Sequence, residues 1–199
     1  MNSALPTIYL ARHAETAWTV SGQHTGLTDL PLTERGKQDA RELGDRLTSL
    51  SVAKVFTSPL QRAACTSELA GFGAIAEPDP DLVEWNYGKY EGLTSQEIYA
   101  QRPDWQIFRD GCPGGESPEQ VGERADRVLS RVRAVQGNVL LFSSGHFLRV
   151  LAVRWLGLPA AAGRYFLLGT ASFSALGYEH NLSEPVIRLW NDMNHITRD

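Results

Sequence analysis

The sequence predicts an α/β protein, a three-layer α/β/α sandwich whose central sheet is mostly parallel and ends in an antiparallel edge. Short continuous apolar runs, typical of strands buried on both faces, alternate with segments whose apolar residues follow helical spacing. That alternation favours parallel strands covered by helices, and the closing segment predicts a strand pair. At 199 residues with 42% hydrophobic content, the chain is long enough for one well-buried core, so we expect a single domain over residues 1–199.

The predicted strands are short and bounded by polar residues. The apolarity of the clearest ones is continuous rather than alternating, which suits a parallel sheet with helices on both faces. A turn near residues 181–184 joins the last two strands. In chain order the predicted strands lie at residues 7–11 (TIYLA), 53–58 (AKVFTS), near 74–79 (AIAEPD), and at 138–143 (NVLLFS), 171–180 (ASFSALGYEH) and 185–192 (PVIRLWND).

The predicted helices have marked starts and one apolar face. Residues 58–61 (SPLQ) and 117–120 (SPEQ) each offer a serine cap, proline at the first helical position and glutamine at the third. Residues 94–97 (TSQE) repeat this capping box without the proline. The apolar helical positions are Ala40, Leu43, Gly44, Leu47 and Leu50 in one segment and Val121, Ala125, Val128, Leu129, Val132 and Val135 in another.

Composition and charge exclude several classes of protein. A net charge of −4 argues against nucleic-acid or polybasic membrane partners, although an acidic protein can hold a small cationic pocket. Cys65 and Cys112 lie outside any C-x-x-C spacing, so we expect two reduced thiols in a cytoplasmic protein. The first ten residues lack the basic and long apolar regions of a signal peptide, and no window approaches the ~18 apolar residues that span a bilayer.

Charged side chains gather where the predicted parallel strands end. Arg12 and His13 follow the first strand, and Arg62 lies about one turn into the helix after the second. Gly145 and His146 open an apolar helix after another strand. Ligands of open α/β sheets bind beyond the carboxyl ends of strands, and a helix start offers free N–H groups to an anion. Two arginines and two histidines at neighbouring strand ends therefore predict a compact cationic pocket.

A phosphoryl group suits such a pocket. Its charged oxygens match the arginine fork, and phosphoryl transfer depends mostly on positioning and charge stabilisation. A neutral histidine ring is nucleophilic at physiological pH without a separate base. Glu84 follows the strand near residues 74–79, so it is the candidate acid that gives a proton to the leaving alkoxide.

Four motifs together resemble a known family. LARHAET, SPLQRAACTSELA, EWNYGKYEG and SSGHFLRVL are similar to motifs of the histidine phosphatase superfamily, which contains the cofactor-dependent phosphoglycerate mutases. The resemblance runs in order through nearly the whole chain and implies the phosphoglycerate mutase-like fold. SGQHTGLTDLPLTERG and FRDGCPGGES resemble the branch with sedoheptulose-bisphosphatase-like and bacterial acid-phosphatase-like members.

The resemblance implies a role for each candidate site residue. His13 matches the residue that becomes phosphorylated, and Glu84 matches the proton donor. Neither a metal nor a cofactor is implied. The other implied residues hold the substrate: Arg12, Arg62 and His146 in the phosphate pocket, Gln23, His24, Thr25 and Gly26 in a covering loop, Tyr87 on the substrate, Phe147 through its backbone N–H, and Arg109 on a second anionic group.

Two further positions bear on the site. Ala14 departs from the family pattern, which usually has glycine after the histidine. A positive φ there would strain alanine by about 1 kcal/mol, so we expect a negative φ, which needs only space for one methyl group. Arg149 interrupts the apolar helix after His146 and is a candidate to support the site.

The favoured activity is a phosphatase that acts on small phosphorylated metabolites, sugar phosphates foremost. A cofactor-dependent mutase is the alternative, but the segment after Tyr87 is short for the covering insertion that those mutases share. A non-catalytic phospho-ligand-binding module on the same fold is another alternative. A metal-dependent hydrolase is disfavoured, since none of the 5 histidines shows H-x-x-x-H spacing. An exposed edge strand near the C-terminus would permit a homodimer.

Overall fold

A six-stranded sheet forms the centre of the computed structural model, which describes residues 5–197. Residues 1–4 and 198–199, which the predicted domain includes, lie outside the described residues. All the predicted strands form, with small shifts in their ends. The strands are β1 (Ile8–Arg12), β2 (Lys54–Thr57), β3 (Ala76–Pro78), β4 (Val139–Ser143), β5 (Phe173–Tyr178) and β6 (Pro185–Asp192).

The sheet has the spatial order β3-β2-β4-β1-β5-β6. Strands β3, β2, β4 and β1 pair in parallel, whereas β1 pairs antiparallel with β5, and β5 with β6. The parallel strands therefore end at one edge of the sheet, where Arg12 pairs with Ser143 and Thr57 pairs with Phe142. The predicted mostly parallel sheet with an antiparallel edge is confirmed.

Helices cover both faces of the sheet, which confirms the three layers. Leu10 of β1 belongs to a core cluster that contains Val128 and Leu151, whereas its neighbour Ala11 packs in a cluster with Leu43. Every residue of β4 is buried because both of its faces are covered. The α-helices are α1 (Ala17–Ser21), α2 (Glu34–Leu47), α3 (Gln61–Leu69), α4 (Ser95–Gln101), α5 (Ile107–Asp110), α6 (Pro118–Arg133) and α7 (Gly145–Trp155), and short 3₁₀ helices lie at Pro80–Leu82, Gly88–Tyr90 and Ala160–Tyr165.

Two of the predicted helix starts are confirmed. Thr94 is the N-cap of α4, and Ser117 is the N-cap of α6. Each hydroxyl accepts a backbone N–H bond from the third helical residue, whose side chain bonds back to the backbone of the cap. The sequence alone predicts these two helix starts because both partners of each capping box lie within four residues.

The predicted serine cap at Ser58 is wrong, because α3 begins only at Gln61 and its N-cap is Leu60. Asp29 supplies the acceptors instead. Its Oδ1 accepts the backbone N–H of Gln61 at 2.8 Å, and its backbone oxygen accepts from the Gln61 side chain at 2.8 Å. Ser58 accepts the N–H of Leu60 at 3.3 Å, in the turn before the helix.

The C-terminal hairpin has the predicted turn. The backbone N–H of Glu184 donates to the backbone oxygen of Asn181 at 3.1 Å, and the Asn181 side chain accepts the N–H of Ser183 at 2.9 Å. Strand β6 forms one outer edge of the sheet. Within residues 5–197, each helix is too short or too polar to cross a lipid bilayer.

Replacing Ser117 with alanine should lower the free energy of unfolding by about 1 kcal/mol, because the first turn of α6 loses its side-chain acceptor. Urea denaturation followed by circular dichroism measures the change. Ser130→Ala is the matched control, since Ser130 is exposed in the interior of the same helix. An equal loss in both variants would contradict the capping role.

Candidate active site

A cavity of about 250 Å³ lies beyond the carboxyl ends of the parallel strands, where α/β sheets bind ligands. Glu84 is the one carboxylate among its lining residues in the described chain, and the charged residues beside it are arginines. Arg12, His13, Trp18, Thr19, Gly22, Gln23, His24, Thr25, Glu84, Tyr87, Ser95, Gly145, His146, Arg149 and Leu168 line the cavity.

His13 is buried directly after β1, with 2% of its surface exposed. Its backbone N–H donates to the backbone oxygen of Ser143 at 2.8 Å, which fixes the residue against the end of β4. Its Nδ1 lies 2.8 Å from the backbone oxygen of Ala14. Because a carbonyl oxygen only accepts, we assign the hydrogen of the neutral ring to Nδ1, which leaves the lone pair on Nε2.

The pKa of His13 lies well below the ordinary value for histidine, chiefly because burial disfavours the charged ring. The guanidinium groups of Arg62 and Arg12 lower this pKa further by repulsion. His13 is therefore neutral at physiological pH, and its Nε2 is a nucleophile that needs no separate base.

Arg12 and Arg62 each keep one buried guanidinium donor unpaired. The Nη1 group of Arg12 donates to the backbone oxygen of Leu168, and Arg62 donates to backbone oxygens of residues 25–28. The Nε atom of each is buried without a partner in the described residues. An unpaired buried donor is costly, so each of these two N–H groups favours a nearby acceptor or anion. Arg62 is fully buried and lies behind the cavity wall.

Gly145 is required by the close approach of Arg12 to the start of α7. A β-carbon at this position would lie 3.1 Å from both Nε and Cζ of Arg12. Such a contact would push the guanidinium group away from α7, so the glycine allows Arg12 to pack against the start of the helix.

Glu84 binds the start of α7 with both carboxylate oxygens. Oε1 accepts the backbone N–H of Phe147 at 2.8 Å and that of Trp85 at 2.9 Å. Oε2 accepts the backbone N–H of His146 at 3.0 Å. Because Oε2 has a single partner, it is the oxygen with room for a proton. The prediction that the Phe147 N–H faces phosphate is contradicted, since this donor is occupied by Glu84 and Phe147 is fully buried.

His146 lines the cavity and contacts Tyr87, whose hydroxyl oxygen lies 2.6 Å from the ring Nδ1. Burial is the main cause that raises the pKa of Tyr87 well above its ordinary value and lowers the pKa of His146 well below its own, so both groups are neutral. When the Tyr87 hydroxyl donates to Nδ1, the His146 ring carries its hydrogen on Nε2 and offers a donor to an oxyanion.

Of the predicted covering loop (residues 23–26), Gln23, His24 and Thr25 line the cavity, whereas Gly26 does not. The backbone oxygen of Gly26 accepts from Nη2 of Arg62 at 2.7 Å. The side chains of Gln23 and His24 donate to backbone oxygens of the segment before α4, at 2.7 and 2.8 Å. The loop is therefore fixed from both sides by side chains that bond to backbone.

Arg109 does not line the cavity, so the structure contradicts its predicted contact with a second anionic group. Its guanidinium group pairs with Asp110 at 2.8 Å and Asp104 at 3.6 Å, and its side chain is 48% exposed. Arg149 lines the cavity instead, as expected for a residue one turn after His146 on the same helix face. Burial lowers the pKa of Arg149 to about 10, so the side chain is charged at neutral pH.

A group of three side chains close enough to share a metal ion lies elsewhere in the described residues. It consists of Glu179, His180 and Glu184, at the turn between β5 and β6. Because β5 runs antiparallel to β1, this turn is at the opposite end of the sheet from the cavity. His180 and Glu184 already pair with each other at 2.7 Å, and we assign no metal to this group.

Ala14 fits its position without backbone strain. Among residues 5–197, the non-glycine residues with positive φ are Ala171 and Asn191, so the expected negative φ of Ala14 is confirmed. Ala14 is fully buried, and its backbone N–H donates to the hydroxyl of Thr66 at 3.0 Å. That bond ties the residue after His13 to α3, the helix that carries Arg62.

Comparison with known proteins identifies the family. The sequence matches the histidine phosphatase superfamily (branch 1) over residues 8–193. The chain belongs to this superfamily. An acid phosphatase of Mycobacterium tuberculosis is 41% identical over 184 residues that cover 90% of each chain. A sedoheptulose 1,7-bisphosphatase of Saccharomyces cerevisiae is 35% identical and aligns over 79% of this chain and 70% of the relative.

Another relative is named for a different activity. A probable phosphoglycerate mutase GpmB of Photorhabdus laumondii is 32% identical over 95% of this chain and 94% of the relative. A solved structure of an open reading frame product of Mycobacterium tuberculosis has a TM-score of 0.89 and 38% identity, and the match covers 94% of this chain and 97% of that one. The family, the phosphoglycerate mutase-like fold and the enzyme class, a phosphatase, that the motifs predict are confirmed.

The His13 ring should stay neutral as the pH falls through about 6.5, where an ordinary imidazole is half protonated, because burial, Arg62 and Arg12 all lower its pKa. Nitrogen-15 NMR of histidine-labelled protein measures ring protonation, and the spectrum of His13→Gln identifies the His13 signals. A His13 ring that takes up its proton at or above pH ~6.5 would contradict this electrostatic arrangement.

Proposed function

We propose that this protein hydrolyses phosphate monoesters of small metabolites, sugar phosphates foremost, through a phosphohistidine at His13. The observation that carries the proposal is a buried, neutral His13 ring with a free Nε2, whose pKa is lowered by the charges of Arg62 and Arg12. A nucleophile and donors for non-bridging oxygens are the two requirements of phosphoryl transfer that a protein must supply.

In the first step, Nε2 of His13 attacks phosphorus and forms a P–N bond while the P–O bond to the alcohol breaks. Arg12 and His146, which line the cavity, hold non-bridging oxygens through N–H groups, and the positive charge of Arg62 behind the cavity wall stabilises them. Glu84 gives the proton on Oε2 to the leaving oxygen, so the alcohol leaves neutral. Donors fixed before the reaction need no reorganisation as charge develops.

In the second step, water attacks the phosphohistidine and the P–N bond breaks. Oε2 of Glu84 takes a proton from this water, which restores the acid for the next cycle, and the lone pair returns to Nε2 of His13. Inorganic phosphate then leaves. One carboxylate serves as acid and base because both steps pass through the same geometry.

The substrate class is supported by the cavity and by the relatives. A volume of about 250 Å³ suits a small metabolite, and the neighbouring arginines suit an anion. Two relatives are named for phosphatase activity, one of them on a sugar bisphosphate. The net charge of −4 does not favour nucleic-acid partners.

A mutase is the second candidate, since one relative is named a probable phosphoglycerate mutase. The segment between Tyr87 and α6 holds only the short helices α4 and α5, which favours access of water over retention of an organic acid. Phosphate release from sugar phosphates, measured beside isomerisation of 3-phosphoglycerate with added bisphosphoglycerate, separates the two activities. Isomerisation far faster than release would overturn the phosphatase.

We infer in addition a cytoplasmic, single-domain enzyme able to form a homodimer. The free thiols of Cys65 and Cys112 support a reducing compartment. The single sheet and the family match over residues 8–193 support one domain. The unpaired edge of β6 supports association with a second copy.

Brief incubation with a ³²P-labelled sugar phosphate, followed by rapid denaturation at alkaline pH, should trap label on the wild-type chain. His13→Ala should carry no label, because no other group in the cavity combines a free ring nitrogen with both arginines. Label retained on His13→Ala, or hydrolysis by wild type without any phosphoenzyme, would overturn the proposed nucleophile. Binding without turnover would support the non-catalytic module.

Glu84→Gln should lower kcat for alkyl phosphates by about 10²–10⁴-fold, because the leaving alkoxide loses its proton donor. The loss in the first step should be much smaller with p-nitrophenyl phosphate, whose leaving anion is stable without a proton; a burst of nitrophenol measures that step. Glu119→Gln, at an exposed position in the first turn of α6, is the control. Equal losses with both classes of substrate would contradict the role of Glu84.

A further inference from the structure

Arg124 is the buried arginine of helix α6. Its side chain is 7% exposed, whereas that of Arg127, three positions further along the same helix, is 55% exposed. All three guanidinium nitrogens of Arg124 donate hydrogen bonds within the protein, and Arg124 is not among the residues that line the cavity. Because no part of its fork is left for a substrate, any role in the reaction must act through the groups that it holds.

The guanidinium group holds the backbone that carries Glu84. Nη1 donates to the backbone oxygens of Asp81 at 2.9 Å and Val83 at 2.6 Å, and Nη2 donates to the backbone oxygen of Glu84 at 3.2 Å. Residues 83–87 form neither helix nor strand. Their backbone groups therefore depend on side-chain partners rather than on a regular ladder of hydrogen bonds.

Glu116 holds the same segment from the loop before α6. Its two carboxylate oxygens accept from Nε and Nη2 of Arg124 at 3.0 and 2.8 Å, which makes a bidentate ion pair. Oε2 of Glu116 also accepts the backbone N–H of Asn86 at 2.8 Å, and its backbone oxygen accepts the indole N–H of Trp85 at 2.9 Å. Arg124 and Glu116 together fix the chain on both sides of Glu84.

The guanidinium group of Arg124 also contacts the helix turn that binds the carboxylate of Glu84. Its Cζ lies 4.6 Å from the centroid of the Phe147 ring, and the backbone N–H of Phe147 donates to Oε1 of Glu84 at 2.8 Å. The backbone of Glu84 and the first turn of α7 are thus packed against one planar group. A displacement of about 1 Å can slow a reaction roughly 100-fold, so this spacing affects proton transfer from Oε2.

We propose that Arg124, paired with Glu116, is a positioning residue for the proton donor and determines where Oε2 of Glu84 lies relative to the leaving oxygen. The inference rests on the proposed phosphatase function and extends its proton-transfer step. A carboxylate on an irregular segment without these bonds would occupy several positions, and only some of them lie within hydrogen-bond reach of the leaving oxygen. Arg124 itself touches no substrate and supplies no proton.

Two esters that differ in their need for a proton test this role. Phenyl phosphate and p-nitrophenyl phosphate have nearly the same shape, but phenolate is the more basic leaving group. Arg124→Met should lower kcat/KM for phenyl phosphate about 10-fold more than for p-nitrophenyl phosphate, because a misplaced acid matters most for the more basic group. A general weakening of the fold would lower both values equally.

A double variant tests whether the effect passes through Glu84. Glu84→Gln alone should also lower kcat/KM more for phenyl phosphate than for p-nitrophenyl phosphate. When Arg124→Met is added to Glu84→Gln, its further loss should be the same for both esters, since the donor that it positions is already absent.

Two single variants control this experiment. Arg127→Met removes an arginine of the same helix that binds the side chain of Asp81 at 2.7 Å, and it should leave the ratio of kcat/KM for the two esters unchanged. Glu116→Gln removes the charge of the pair and keeps one acceptor oxygen. It should shift the ratio in the same direction as Arg124→Met but by less, and it decides the matter if Arg124→Met does not fold.

The same measurements can overturn the role of Arg124. Equal losses for both esters in Arg124→Met, beside a selective Glu84→Gln, would show that Arg124 supports the fold and not the acid. A selective loss that persists in the double variant would show that it acts through another group. An unselective Glu84→Gln would refute the proposed acid, and wild type that hydrolyses neither ester would refute the phosphatase; either result also rejects the role of Arg124.

Discussion

Guanidinium groups buried without carboxylate partners are the constraint on which this site depends. Arg12 and Arg62 bond only to backbone oxygens, which hold their positions without neutralising their charge. Burial and, after it, repulsion from this charge lower the pKa of His13 and keep its ring neutral, and the Nε groups of both arginines stay unpaired. Burial strengthens both effects because water no longer screens the charges. A carboxylate partner would stabilise either arginine in the free protein, but it would remove the attraction for phosphate.

The sheet topology explains how residues far apart in sequence share one ligand. Strand β4 pairs in parallel with both β1 and β2, so the segments that follow these three strands meet at one edge. His13, Arg62 and His146 lie in those segments. Arg62 has a second role in this arrangement, since it bonds to the backbone of residues 25–28 and thereby couples the covering loop to α3.

Residues whose positions follow from strand ends could be predicted from the sequence, because parallel pairing determines where those ends lie. Arg12, His13 and His146 are examples, and Ser117 is another case because its cap needs only local partners. Positions decided by distant contacts could not be predicted. Asp29 replaces Ser58 at the start of α3, and Glu84 occupies the N–H of Phe147. Arg109 and Arg149 have equal charge, and only the folded chain shows that Arg109 pairs with Asp110 whereas Arg149 lines the cavity.

Helix α7 carries more of the site than any other element. Its first turn binds the carboxylate of Glu84, His146 projects from that same turn, and Arg149 follows one turn later. A tilt or slide of this helix would therefore displace the acid, a phosphate donor and the neighbouring arginine as one rigid body. We therefore expect relatives that prefer different metabolites to differ in individual side chains along α7 and to keep its axis fixed. Reorienting the helix would disturb the catalytic groups as well as the groups that select the substrate.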